Sequence, residues 1–194
     1  MATTPATSTR ELSGAQWVQR FPGSRSVSDL DPPFRTNLRA FLSALDNAGA
    51  SVRLSATVRP PERAYLMHWS WMMVNRRTDP TTIPALAGVN IQWDHGDAAA
   101  SLAAAQQMVN GLEMQSLGTA PALDSRHGHG EAVDITIAWS GTLSITDQLG
   151  TVVQIDSMPR SGMNAALATV GASYGVLKYD GAGVDRPHWS STGR

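Results

Sequence analysis

The chain has 194 residues, 42% of them hydrophobic and 16% charged, with a formal net charge of −1 and no cysteine. This composition excludes a disordered chain, predicts one domain with a real core, and argues against wholesale nucleic-acid binding, which needs a basic field. The absence of cysteine excludes disulfides, thiolate zinc fingers, iron–sulfur clusters and cysteine nucleophiles, and no apolar run approaches the ~18 residues of a membrane helix.

In chain order, the opening segment is rich in Thr, Ser and Ala and lacks the basic start and apolar stretch of an export signal. Residues 1–23 read as a flexible segment and 24–194 as the folded domain. Phe34, Leu38, Phe41, Leu42 and Leu45 recur at helical spacing, and Gly49 is a natural stop. Residues 52–58 alternate like a strand, which Arg59-Pro60-Pro61 ends. Residues 62–76 read as a helix whose Trp and Met residues form a core-facing stripe. Residues 78–94, with Pro80, Pro84 and Gly88, read as a loop, and 97–112 as an Ala-rich helix capped by Asp94 or Asp97.

After a loop over 118–124, residues 132–139 alternate again. Val133, Ile135 and Ile137 fall on one face, and Asp134, Thr136 and Ala138 on the other. Ser140-Gly141 is expected to be a hairpin turn into a strand over 142–145, and Asp147–Gly150 a second turn into 152–155. A short helix over 164–170 closed by Gly171, a strand over 174–179 and a glycine-containing loop over 180–187 complete the reading. Helices and hairpins mixed without a βαβ rhythm predict an α+β fold.

The chemistry concentrates in Ser125-Arg126-His127-Gly128-His129-Gly130-Glu131-Ala132-Val133-Asp134 and in Asp185-Arg186-Pro187-His188-Trp189. A His in a glycine-rich approach and an Asp at the start of a strand can place nitrogen and oxygen ligands around one ion, with His188 as the third. Two His and one carboxylate leave a fourth position open, the pattern of a catalytic rather than a structural zinc. Zinc would acidify a water molecule and polarise a carbonyl. Asp185, three residues before His188, is the natural carboxylate to take the proton.

Residues Ser125, His127, Gly130, Ala132 and Asp134 fit the pattern Ser-x-His-x-x-Gly-x-Ala-x-Asp. This resembles the signature of the D-alanyl-D-alanine carboxypeptidase and VanX/VanY dipeptidase family, which includes the L-alanyl-D-glutamate endopeptidases of phage lysins. Asp185-x-Pro-His188 followed by Trp189 resembles the second family signature, closer to its endopeptidase branch. The resemblance runs from about Asp31 onward and is weakest over 78–94. It implies a small single α+β domain, hedgehog/DD-peptidase-like, with a central antiparallel sheet carrying one zinc ion per chain and helices packed behind. It implies that His127, Asp134 and His188 bind the zinc and that Asp185 is general base and acid. Thr57-Val58-Arg59 resembles the family segment ending Tyr-Arg-Ser, although Val58 stands for an aromatic and Pro60 for a Ser. That match carries to Arg59 the role of holding an oxyanion or a substrate carboxylate; the alternative is a surface salt bridge.

Ser125 is expected to brace the ligand loop beside the substrate. His129 is read as a rim residue touching substrate or as a further ligand, and Trp189 as a cover over the site or as core. His68 reads as a packed or surface His. His95 reads as part of a helix cap, a substrate contact or a second ion site. The resemblance implies a hydrolase of the peptidoglycan stem peptide, either an L-Ala-D-Glu-type endopeptidase or a D-Ala-D-Ala carboxypeptidase. The rival reading is an inactive zinc-containing binding module. Without an export signal, a phage lysin released through a holin or an antibacterial effector injected by a secretion system fits best. Such a protein would be made in the cytoplasm and act in the periplasm or cell wall, as a monomer, with an immunity or delivery protein as partner.

Overall fold

The computed structural model describes residues 9–181 and 186–194. In chain order the helices and strands are β1 (Glu11–Leu12), α1 (Pro32–Asn47), β2 (Ser51–Ala56), α2 (Pro61–Arg76), β3 (Ile91–Gln92), α3 (Ala98–Gly111), β4 (Ala132–Ala138), β5 (Leu143–Thr146), β6 (Val152–Ile155), α4 (Ala165–Ser173), β7 (Leu177–Lys178) and β8 (His188–Ser190). The expected α+β class holds. The chain gathers into two compact units, Met1–Pro22 with Pro60–Asp124, and Gly23–Arg59 with Ser125–Arg194.

The second unit is built on a four-stranded sheet of order β2-β4-β8-β7, antiparallel throughout. α1 starts on Pro32 and Pro33, where a missing N–H costs nothing. Its Phe34, Leu38, Phe41 and Leu45 form one buried stripe. It stops at Gly49, whose φ of 76° lets Ala50 N–H reach back to Leu45 O at 3.0 Å. That stripe packs with Val133, Ile135 and Ile137 of β4, Leu167 and Val170 of α4, and Trp189 of β8. The alternation read in 132–139 therefore separates a core face from a polar face, with helices on the core side.

Four expectations need correction. The Ser140-Gly141 turn does not make a hairpin of β4 and β5. Both edges of β4 are taken, by β2 and β8, and Ala138 bridges to Ser161. The chain leaves the sheet there, and β5 pairs with β6 instead. Their turn is held by Asp147, whose Oδ1 accepts from Leu149 and Thr151 N–H at 2.9 and 2.8 Å. Secondly, Gly171 does not close α4, which runs on to Ser173 before the φ of 72° at Gly175. Gly171 is a packing glycine: a Cβ there would lie 2.7 Å from the Trp189 ring and 2.8 Å from Val176 O. Thirdly, the strand expected over 174–179 is reduced to β7, while β8 forms where only a motif was read. Lastly, the segment read as flexible supplies β1, which pairs in parallel with β3 of the expected loop, and the buried Trp17.

In the first unit, the Trp/Met-rich face of α2 meets α3. Tyr65, Leu66, Trp71 and Met73 share a core with Ala105, Met108, Val109 and Trp17. These residues form a cluster distinct from the one described for the second unit. Asp97, rather than Asp94, caps α3, its Oδ1 accepting from Ala100 N–H at 2.7 Å.

Gly171→Ala should destabilise the protein by about 1–3 kcal/mol through overpacking, although alanine is the better helix former. Urea unfolding followed by tryptophan fluorescence would show a lower midpoint; an unchanged or higher midpoint would remove the packing role of this glycine.

Candidate metal centre

The register of β4 against β8 creates the centre. Asp134 lies opposite His188, and Val133 opposite Trp189. Since side chains alternate across a sheet, Val133 and Trp189 enter the core while Asp134 and His188 share the other face.

His127 arrives from the loop preceding β4, which is fixed by its backbone. Gly128 N–H donates to Ser125 O at 2.9 Å, and Arg59 N–H donates to His127 O at 3.0 Å. Gly130 has φ 70°, and a Cβ there would fall 2.9 Å from Asp31 N, so only glycine permits the close pass of loop and helix start. The His127 ring is oriented by one further bond, from Nδ1 to Thr57 O at 2.6 Å. A carbonyl only accepts, so Nδ1 carries the proton and Nε2 presents its lone pair.

That Nε2 lies 3.2 Å from His188 Nδ1 and 3.3 Å from Asp134 Oδ1; His188 Nδ1 lies 3.4 Å from the same oxygen. Among the described residues these three side chains form the group able to share an ion. For zinc–ligand bonds of about 2.0–2.1 Å, a tetrahedron has edges of about 3.3–3.4 Å, so the nearly equilateral triangle is one face of such a polyhedron. The two His side chains are 5% and 7% exposed and that of Asp134 18%, so Asp134 is the least buried of the three. Asp134 Oδ1 is itself buried without a hydrogen bond, as a donor atom reserved for a cation would be. The residues present fit a divalent metal.

Burial alone would raise the Asp134 carboxyl, but with the His127 and His188 rings protonated their attraction outweighs it and holds the group below its ordinary value of 3.8. The sign follows from linkage. A depressed carboxyl contributes stability that is present above its unfolded value and lost as pH falls through its folded one. At neutral pH the ligand is therefore already ionised.

Of the other residues singled out from sequence, Arg59 and Ser125 are half-buried beside His127 and fix its loop through their backbones. His129 is exposed and stands outside the ligand triangle. Trp189 is corrected: it is fully buried, 5.5 Å from the Phe41 ring, and so neither covers the site nor touches a substrate. Asp185 lies outside the described residues. His68 is packed, its Nδ1 2.8 Å from Pro121 O and its ring on Trp69. His95 belongs to the start of α3, with its N–H on Ser101 Oγ and its Nε2 on Ser13 Oγ. Two neighbours escaped the sequence reading. Thr57 contributes only a carbonyl, which no residue type announces. Tyr179 meets the His188 ring edge-on at 5.7 Å and donates its N–H to His188 O; the only hint was its place at the end of an apolar strand.

No protein-family model matches the chain, and no curated protein matches it.

Equilibrium dialysis with metal analysis should find one zinc per wild-type chain. His127→Ala and Asp134→Ala should each weaken binding by more than the ~10–100-fold that loss of an outer-shell partner costs. Retention of full affinity by either variant would rule out the triangle as the binding site.

Proposed function

We propose that this protein is a zinc-dependent peptidase acting on the stem peptide of bacterial peptidoglycan. The observation that carries the reading is the buried triangle of His127 Nε2, Asp134 Oδ1 and His188 Nδ1, with edges of 3.2–3.4 Å. Two neutral nitrogens and one carboxylate leave the fourth position for reacting groups, which is the arrangement of catalytic and not of structural zinc. The substrate class comes from the resemblance of the two ligand-bearing motifs to the VanX/VanY and L-alanyl-D-glutamate endopeptidase family.

Zinc bound there would supply Lewis acidity, polarising the scissile carbonyl and lowering the pKa of attacking water towards ~7. The chain's own residues supply the rest. The Thr57 carbonyl keeps the proton on Nδ1 of His127 and so keeps Nε2 a ligand. Asp134 balances one of the metal's charges and remains ionised at neutral pH. Asp185 is assigned the proton transfer: it takes the proton from water and delivers it to the leaving amine. Arg59, next to the His127 loop, is assigned the oxyanion or a substrate carboxylate, which its planar fork can hold by two parallel hydrogen bonds. Delivery to the wall as a phage lysin or injected effector belongs to the same reading.

Purified peptidoglycan incubated with zinc-loaded protein should release new peptide termini that mass spectrometry can identify, and a chelator should stop the release. Free D-Ala would mark a carboxypeptidase, and a cut between L-Ala and D-Glu an endopeptidase. Asp185→Ala should keep stoichiometric zinc and lose about 10²–10⁴-fold in kcat. Wild-type turnover in that variant would remove Asp185 from the mechanism. No cleavage by a fully zinc-loaded protein would overturn the substrate class.

A further inference from the structure

The segment over 78–94, read from sequence as a loop, walls a small pocket in the first unit. The pocket holds about 210 Å³, below the roughly 300–1,000 Å³ of sites for drug-sized ligands. Its lining includes the buried Tyr65, Ile91 and Trp93, the exposed Arg10 and the half-buried Asp94. Hydrogen bonds fix this lining. The Tyr65 hydroxyl donates to Pro84 O at 2.9 Å and accepts from Trp93 Nε1 at 3.0 Å. Gln92 Nε2 donates to Asp94 O at 3.0 Å, and Asp94 Oδ1 accepts from Gly96 N–H at 2.8 Å. Arg10 is held from both sides: Asn90 Nδ2 donates to Thr9 O at 3.4 Å, and Glu11 N–H donates to Asn90 O at 2.9 Å. Two opposite charges share this space. The Arg10 charge reaches the Tyr65 hydroxyl, where it opposes the rise that burial imposes on the phenol. Yet among the described residues no ion pair engages Arg10 or Asp94, with each other or with any further group.

We propose that this pocket binds a small free α-amino acid as its zwitterion, with the ligand carboxylate on Arg10 and its ammonium on Asp94. A planar guanidinium matches both oxygens of a carboxylate, and the Asp94 carboxylate keeps acceptor capacity beyond the bond from Gly96. A free amino acid carries both charges on one carbon and so gives each side chain the partner it lacks. A blocked amino acid or a residue inside a peptide has lost one or both. The mostly polar lining favours a small side chain over a long apolar one. The inference is independent of the peptidase reading, and its test needs no turnover.

The test is calorimetric titration of the full chain with glycine and with L-alanine, up to about 10 mM. One equivalent should bind. N-acetylglycine and glycinamide, which each lack one charge, should bind at least about tenfold more weakly. Arg10→Gln and Asp94→Asn should each weaken glycine binding by about tenfold or more, and Arg10→Lys should keep part of the affinity. The indole N–H resonance of Trp93, identified by its loss in Trp93→Phe, should shift as glycine is added to wild type. An amino acid can also chelate a metal ion, so His127→Ala is the control, and it should bind glycine as wild type does. If Asp94→Asn fails to fold, the Gln and Lys variants of the exposed Arg10 decide alone. Absence of heat and of any Trp93 shift, equal binding of the blocked forms, or full affinity in Arg10→Gln overturns the site. Binding lost in His127→Ala and kept in Arg10→Gln moves the amino acid to the metal centre and overturns it equally.

Discussion

The candidate centre depends on the pairing of β8 with β4 in one register. Asp134 opposite His188 and Val133 opposite Trp189 are two consequences of the same alignment. A slip of β8 by one residue would turn the indole to solvent and His188 into an apolar core, so the buried face enforces the arrangement of the polar one. Trp189 acts as the lock. It is fully buried against Phe41, and the missing side chain of Gly171 makes room for its ring. The core of the second unit and the geometry of the donors are therefore parts of one packing problem.

The third donor is held by different means. His127 lies in no strand, and its placement comes from hydrogen bonds: its carbonyl to Arg59 N–H, its Nδ1 to Thr57 O, and the tight pass of Gly130 over Asp31. A loop with this many backbone ties is as determinate as a strand, and its ring nitrogen loses little entropy on binding a cation.

Much of this was legible because the informative features are local. The helical stripe from Phe34 to Leu45 and the alternation from Ala132 to Ala138 are periodicities a sequence displays directly, and the three donors stand in compact motifs. What sequence hid was non-local. Nothing in Ser140-Gly141 says that β4 already has two partners, so a turn was read as a hairpin. Gly171 resembles a helix stop until Trp189 is seen against it. Glu11 and Leu12 look like part of a polar tail until Ile91 and Gln92 offer them a strand. Trp189 carried two readings because a tryptophan next to a ligand is equally at home on either face, and only strand parity decides.

The assembly of the donors has a temporal side. His127 and Asp134 share one short stretch, but His188 sits on a strand that enters the sheet between β4 and β7, long after β2 and β4 have been made. Until β8 is inserted, two donors stand beside an unfilled strand edge, and such a pair holds a divalent ion weakly. The complete set of donors thus requires the β4–β8 pairing, whose partners lie 54–58 residues apart in the chain. The third side chain of the triangle therefore comes from the last strand of the chain, and the geometry of the candidate centre is complete only with β8 in place.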